Sequence, residues 1–265
     1  MLILNEEKYA KALYDGKISE VKAAMSKIRY ITRYLIHSDG RSDDEAYKLS
    51  VDWMKKHHDN FDESCYSNVI TNVIKKAHQY PFYIIDNVKI TQSELDIISS
   101  LNNLRAEKVL FVLLCMAKQQ SMSNGFINGL VKYSITELCK LARVSVPADD
   151  REYILYEIVQ KGFLGYPKKN NTQCLIVNFI NNEDDVVLTL DEIDCQELAY
   201  VYLNWKNNGK GYTRCQRCNR LTKQSKTKPR KYCEECAKAV EKENSKERVR
   251  RYREKCNENL TRQND

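Results

Sequence analysis

The sequence predicts a mainly α-helical fold with small β elements, that is, an α+β chain. Apolar residues recur at three- and four-residue spacing over most of the first 80 residues, short β-prone runs alternate with helical stretches up to residue 205, and two Cys-x2-Cys pairs follow. The predicted units are a helical bundle (1–80), a winged helix-turn-helix-like domain (81–205), a four-cysteine zinc ribbon (206–236) and a basic helix with its tail (237–265).

The first predicted unit is helical throughout. We expect helices over residues 6–14 and 18–36, with a break at Gly16 between them, and a further helix over residues 65–77. Ser42-Asp-Asp-Glu45 has the form of a capping box, in which a serine and a glutamate three residues later each accept a backbone N–H at the start of a helix. A three- or four-helix bundle is the expected product.

Part of this unit resembles a known helical domain. Two arginines on one helix, a glycine turn and a following helix carry the resemblance: Arg29, Arg33, Gly40, Glu45, Ala46, Leu49 and Trp53. The stretch resembles the small helical domain that follows the catalytic core in some plasmid and phage primases. The resemblance implies association with replication or mobile-element proteins, whereas a plain helical bundle explains the same residues without it.

The second predicted unit has the element order of a winged helix-turn-helix. A hairpin over residues 82–90 and a capping box at Thr91-Gln-Ser-Glu94 come first. The helices that follow are predicted at 104–119, 135–143, 149–161 and 191–205. The strands are predicted at 130–133, 162–166, 172–179 and 186–190, the middle two forming the wing.

The helix over residues 149–161 takes the place of the helix that reads the major groove in helix-turn-helix proteins. Its charged residues sum to −2: Asp149, Asp150, Arg151, Glu152, Glu157 and Lys161. Because phosphate contact requires cationic surroundings, this charge favours a scaffold or protein-contact role. Direct DNA reading stays open, since aspartates near a helix N-terminus also serve as ordinary caps.

Near the C-terminus, Cys215-x2-Cys218-x14-Cys233-x2-Cys236 has the spacing of a four-thiolate Zn²⁺ site. The fourteen residues between the pairs include one sizeable aliphatic side chain, Leu221, so we expect a structural zinc ion to order them. Redox dithiols or two disulfides are the alternatives. The basic filling and a composition typical of a reducing compartment argue against both.

The formal net charge of +7 is unevenly distributed. Residues 1–205 carry 24 basic and 28 acidic side chains, a balance of −4, whereas residues 206–256 carry 18 and 6, a balance of +12. We therefore expect DNA or RNA to bind this segment through its backbone phosphates, unless the segment is only a solvated helix and linker. The candidate nucleic-acid-binding residues are Arg217, Arg220, Lys223, Lys226, Lys228, Arg230, Lys231, Arg248, Arg250, Arg251 and Arg253.

The pattern RCxxC…RKYCxxC followed by an arginine-rich helix, from Arg214 to Arg253, carries a second resemblance. It is similar to the zinc-ribbon tails of winged-helix proteins from phages and mobile elements. The resemblance implies a regulatory or replication-associated protein that acts in the cytoplasm of a bacterial host cell.

We expect no enzyme. The sequence has no Gly-rich phosphate loop, no HExxH and no nucleophile elbow, and four cysteine ligands leave no open position on a zinc ion. His57-His58 with Asp59 and Asp62 leaves a second metal site open, although adjacent residues do not share a helix face. With no signal peptide and no apolar run long enough to span a membrane, a cytoplasmic protein is expected.

Two hypotheses from different classes follow. In the first, the chain is a zinc-containing nucleic-acid-binding protein of a phage or mobile element, and its other units position a partner protein or a homodimer. In the second, it is a phage protein-interaction factor that inhibits a host nuclease or defence complex, with the acidic first 205 residues in a basic groove. Affinity for duplex DNA separates the two, because only the first requires it.

Overall fold

The computed structural model describes residues 2–18, 24–125, 128–168, 174–225 and 229–262. The fold is mainly helical with small antiparallel sheets, as the sequence predicts. Its apolar side chains form two cores, one in the N-terminal bundle and a larger one in the middle of the chain. Among the helices that the structure describes, none combines the length and the apolarity needed to cross a membrane.

The first core lies within a bundle of helices: α1 (Glu6–Tyr14), α2 (Ala24–Arg33), α3 (Asp43–His57) and α4 (Glu63–Gln79). The capping box at the start of α3 is confirmed, because Ser42 N–H donates to Glu45 Oε2 at 3.1 Å and Glu45 N–H donates to Ser42 Oγ at 3.4 Å. Where the sequence predicts continued α-helix, α2 passes into a π-helical turn, Tyr34–Ser38. Residues 19–23 of that predicted helix lie outside the described residues.

The second core is organised around one long helix. Its elements are β1 (Val88–Thr91), α5 (Gln92–Ser99), α6 (Leu104–Asn124), β2 (Leu130–Lys132), α7 (Ile135–Leu141), α8 (Ala148–Gln160), β3 (Leu164–Gly165), β4 (Cys174–Val177), β5 (Val186–Leu190) and α9 (Leu198–Lys206). Every side chain from Val109 to Cys115 on α6 is buried, as expected of a helix that is apolar on all sides. The antiparallel sheet β2-β4-β3 and helices α8 and α9 pack around α6.

The hairpin predicted over residues 82–90 is wrong. β1 pairs antiparallel with the distant strand β5, with Val88 opposite Leu190 and Ile90 opposite Leu188. Val88 and Ile90 are fully buried in the second core, so the pairing that buries them prevails over the local turn preference of Asp86-Asn87. The last helix of this region is also shorter than predicted, since a 3-10 turn, Asp194–Gln196, precedes α9.

Buried ion pairs connect elements inside the two cores. Glu6 of α1 accepts two hydrogen bonds from the Arg33 guanidinium, at 2.7 and 3.1 Å. Glu94 pairs with Lys118 of α6 at 2.7 Å. Glu94 also accepts the Thr91 N–H in the capping box of α5, which is confirmed. Both residues of the second pair are almost inaccessible, so removing either partner would leave an uncompensated buried charge.

The C-terminal segment comprises β6 (Tyr212–Arg214), β7 (Leu221–Lys223) and α10 (Glu234–Arg262). Leu221, the single sizeable aliphatic of the loop, is buried in the second core near α9. Arg214 pairs with the buried Asp194 at 2.9 Å. Leu2 and Leu4 also belong to the second core, so side-chain contacts cross both predicted limits, at residues 80 and 205.

Candidate metal centre

The first Cys-x2-Cys pair lies in the turn of the β6–β7 hairpin. Arg214 is opposite Leu221 in the ladder, and Cys215 N–H donates to the Arg220 carbonyl at 2.9 Å. Asn219 N–H closes the turn on the Cys215 carbonyl at 2.9 Å, and Asn219 itself takes a left-handed conformation with φ +59°. Two sulfurs thereby leave the same tight turn in the way that a zinc knuckle requires.

The second pair is held against the first by hydrogen bonds from the backbone and from one glutamine side chain. Gln216 N–H donates to the Lys231 carbonyl at 2.9 Å, just before Cys233. The Gln224 side chain accepts the Arg230 N–H at 2.9 Å and donates to the Arg230 carbonyl at 3.1 Å, which ties the two ends of the intervening loop together. Cys236 lies in the first turn of α10, so this helix begins at the cysteine cluster.

The four cysteine sulfurs all lie within 4.8 Å of one another, and the Cys218 and Cys233 sulfurs are 3.7 Å apart. A tetrahedral ion with bonds of about 2.3 Å to sulfur places its ligands about 3.8 Å apart. A disulfide requires about 2.05 Å, so this pair is far outside bonding distance. Among the described residues, these cysteines are the group of metal-ligating side chains that comes together, and they can hold one metal ion.

The cluster has an uneven distribution of thiol acidity. Burial opposes ionisation of Cys215, but backbone N–H groups of Cys233, Cys218 and Arg217 donate to its sulfur and lower its pKa to about 6. Burial and the neighbouring thiols raise the pKa of Cys236 to about 12. Negative charge therefore collects first on Cys215, and a bound cation is needed before all four thiols ionise together.

Arg220, predicted to meet nucleic acid, lies against the cysteine cluster. Burial raises the pKa of Cys218, but hydrogen bonds from the side chain and the backbone of Arg220, together with one from Cys236, outweigh burial and lower that pKa. The same guanidinium pairs with Glu235 at the start of α10. Arg220 thus bridges a ligand sulfur and the helix, an arrangement that orients metal ligands in other proteins.

Several other predicted contact residues are engaged by carboxylates. Arg217 makes a two-point pair with Glu243 at 2.8 and 3.1 Å. On α10, Arg250 and Arg251 share Glu247, and their hydrogen bonds lower the pKa of that carboxyl to about 2. These guanidiniums have part of their donor capacity already occupied, so they are less available to phosphates.

Five predicted contact residues form no ion pair among the described residues: Lys223, Arg230, Lys231, Arg248 and Arg253. All five side chains are exposed. Lys226 and Lys228, also predicted contacts, lie outside the described residues.

The sequence reasoning missed two lysines, Lys242 and Lys246. They share one face of α10 with Val249 and Arg253, because offsets of four, seven and eleven residues return to the same side of an α-helix. We call Lys242, Lys246 and Arg253 the basic face; none of them forms an ion pair within the described part of the chain. Glu243 and Glu247 lie further round the helix, whereas Glu254 borders the basic face. The spacing of these residues along a helix is the signal by which the sequence could have identified Lys242 and Lys246.

The exposed side of α8 has a different character. Tyr153 and Tyr156 are 68% and 56% exposed, and their ring centroids are 6.4 Å apart. Asp149 and Glu152 are exposed on the same helix. Exposed tyrosines beside carboxylates are typical of protein contacts and unfavourable for a phosphate backbone.

Comparison of the chain with protein-family models, with curated proteins and with solved structures finds no match.

Proposed function

We propose that the chain is a zinc-containing protein that binds DNA or RNA through backbone phosphates. The basic face of α10 is the observation that supports this most directly. Its three side chains are exposed, form no ion pair with the described carboxylates and repeat along one side of a helix. Cations in such an arrangement follow a phosphate backbone without reading base sequence.

In this proposal the metal is zinc, because four thiolates at tetrahedral separation suit that ion and leave it no catalytic position. Its role is to hold the start of α10. Cys236 belongs to the helix, and the Arg217–Glu243 pair ties the first knuckle to it two turns further on. The basic face therefore has a fixed direction relative to the second core. No catalytic activity is part of the proposal.

The remaining units act as a scaffold in the proposal. The order α6, β2, α7, α8, β3, β4 and the sheet order β2-β4-β3 support a winged helix-turn-helix, and the acidic, tyrosine-bearing side of α8 supports contact with a protein. A partner protein or a homodimer would bind there. Together with the resemblance to zinc-ribbon tails, this supports a regulatory or replication-associated role for a phage or mobile element in the bacterial cytoplasm.

The test is a binding measurement with labelled single- and double-stranded DNA and RNA over a salt series, using the zinc-loaded full chain and the same chain after chelation. We expect affinity that falls steeply with salt and decreases after chelation. Substitution within the full chain is preferable to truncation after Trp205, because truncation also removes Leu221 from its contact near α9. Absence of binding at low salt would contradict the proposal.

A second candidate function is supported by α8 alone. A protein-interaction factor that inhibits a host nuclease or defence complex would present Tyr153, Tyr156 and the neighbouring carboxylates to a basic partner surface. This candidate predicts that the chain associates with host proteins. The double variant Tyr153→Ala, Tyr156→Ala should abolish that association, and neutralising the basic face of α10 should leave it intact. Affinity capture from bacterial extract, with the two variants side by side, measures both effects. If the tyrosine variant still captures host proteins and the α10 variant does not, this candidate is excluded.

A further inference from the structure

A cleft of about 690 Å³ separates the N-terminal bundle from the second core. Arg29 on α2 and Lys76 on α4 line one part of it, and the segment that links the two units contributes Tyr80, Phe82 and Tyr83. Cleft volumes of about 300–1,000 Å³ are typical of sites for small organic ligands. The cleft lies in the acidic part of the chain and shares no residue with the metal centre.

The cleft is cationic despite its surroundings. Among the described residues that line it, Glu6 is the one carboxylate, and Arg33 neutralises Glu6 through two hydrogen bonds inside the core. Arg29 and Lys76 are exposed and form no ion pair within the described residues. Arg29 Nη2 donates to the Tyr30 hydroxyl at 2.8 Å, which orients the guanidinium and leaves other N–H donors for an anion.

The aromatic side chains are fixed to different degrees. The Arg33 guanidinium lies 5.2 Å from the Phe82 ring centroid, and the Tyr83 hydroxyl accepts a hydrogen bond from Gln119 at 2.7 Å. Tyr80, in contrast, is 63% exposed at the same cleft. Two fixed rings and one exposed ring lie beside cations that no described carboxylate pairs with, so the cleft offers stacking surface and anion contacts together.

We propose that this cleft binds a nucleoside phosphate, with the base against Tyr80 and Phe82 and the phosphate on Arg29 and Lys76. Flat bases stack on aromatic rings, and guanidinium and ammonium groups are the preferred protein partners of phosphate. The ligand is either a free nucleotide or an unpaired nucleotide of a strand, which present the same chemistry. The site is separate from the basic face of α10 and does not depend on it.

The experiment measures binding of a fluorescent ATP analogue to the zinc-loaded full chain that carries Lys242→Gln, Lys246→Gln and Arg253→Gln. Because these changes remove the basic face, binding at the cleft is measured independently of the phosphate contacts proposed for α10. The competitors are ATP, inorganic tripolyphosphate, O-phosphotyrosine and a short single-stranded oligonucleotide. Variants Arg29→Gln, Lys76→Gln and Tyr80→Ala are compared with Lys75→Gln, which removes the same charge from an exposed position of α4 outside the cleft.

We expect each cleft variant to weaken binding by about tenfold, in line with one lost charged hydrogen bond or stacking contact, and Lys75→Gln to leave it unchanged. Preferential competition by ATP identifies a free nucleotide, and preferential competition by the oligonucleotide identifies a strand. The proposal is overturned if no probe binds, if tripolyphosphate or phosphotyrosine competes as well as both nucleotide probes, or if Lys75→Gln weakens binding as much as Lys76→Gln. Thermal unfolding of each variant confirms that it is folded.

Discussion

Neutralising the basic face of α10 is the sharpest test of the phosphate contacts. In the variant Lys242→Gln, Lys246→Gln, Arg253→Gln, three exposed cations that form no ion pair with a described carboxylate are lost from one side of the helix. Each phosphate contact on duplex DNA contributes about −0.9 to the slope of log K against log salt. If all three residues bind phosphates, the slope becomes shallower by about 2.7.

The matched control is Lys238→Gln, Arg250→Gln, Arg251→Gln, which changes the net charge equally and leaves the Arg217–Glu243 contact in place. Glu234 and Glu247 on the same helix already occupy part of the donor capacity of these side chains, so they are less available to phosphate. We expect the slope to change by less than about 1. The comparison therefore separates specific contacts from the overall charge of the segment.

Fluorescence anisotropy with one labelled duplex, measured for both variants and the unmodified chain over the same salt series, provides the slopes. Circular dichroism checks that α10 remains helical in each variant. If the control loses as much salt dependence as the basic-face variant, binding depends on diffuse charge and the argument from helical spacing is wrong. If neither variant changes the slope, α10 does not contact phosphates.

Three further predictions concern the metal and the second core. Zinc binding should reach one ion per chain by elemental analysis and release fewer than four protons per ion near neutral pH. The reason is that the pKa of Cys215 is lowered to about 6, so its thiol is already largely ionised above that pH. Calorimetry in buffers of different ionisation enthalpy counts the released protons, and release of four would contradict this prediction. Lys118→Met should destabilise the fold by about 3–5 kcal/mol in urea unfolding, because Glu94 is left buried without its ion-pair partner. A loss below about 1 kcal/mol would refute the cost assigned to the unpaired buried charge. Gly129→Ala should be less stable than Gly162→Ala by about 1–3 kcal/mol in the same assay. Both glycines have positive φ, but of the two only Gly129 would place a Cβ 2.4 Å from the Val177 carbonyl oxygen. Equal losses of unfolding free energy in the two variants would refute the clash.

The helices were the most predictable part of the fold. α1, α3 and α5 begin where the sequence places them, because apolar spacing and the capping boxes at Ser42 and Thr91 act within a few residues of chain. The hairpin at residues 82–90 failed for the opposite reason. Its turn residues are local, but the partner of β1 lies about a hundred residues away, and local preference carries no information about that partner.

The candidate contact residues likewise include some features that the sequence predicts and others that depend on tertiary contacts. The balance of +12 in residues 206–256 could be counted from the sequence, but the ion pairs of Arg217 and Arg220 could not be predicted from it. Arg217 meets Glu243 and Arg220 meets Glu235 only because the knuckles fold back onto the start of α10. Lys242 and Lys246 were within reach of the sequence through their helical spacing with Arg253, and were missed.

The sequence by itself determined the helical character of the chain, the four candidate cysteine ligands and the concentration of positive charge near the C-terminus, since each depends on residue type and short spacing. Only the tertiary structure decided that β1 pairs with β5, that Leu221 anchors the cysteine-bearing hairpin in the second core, and that Arg217 and Arg220 are held by Glu243 and Glu235. These features depend on contacts between segments far apart in the chain, which form when burying apolar surface and pairing charges outweighs local preference.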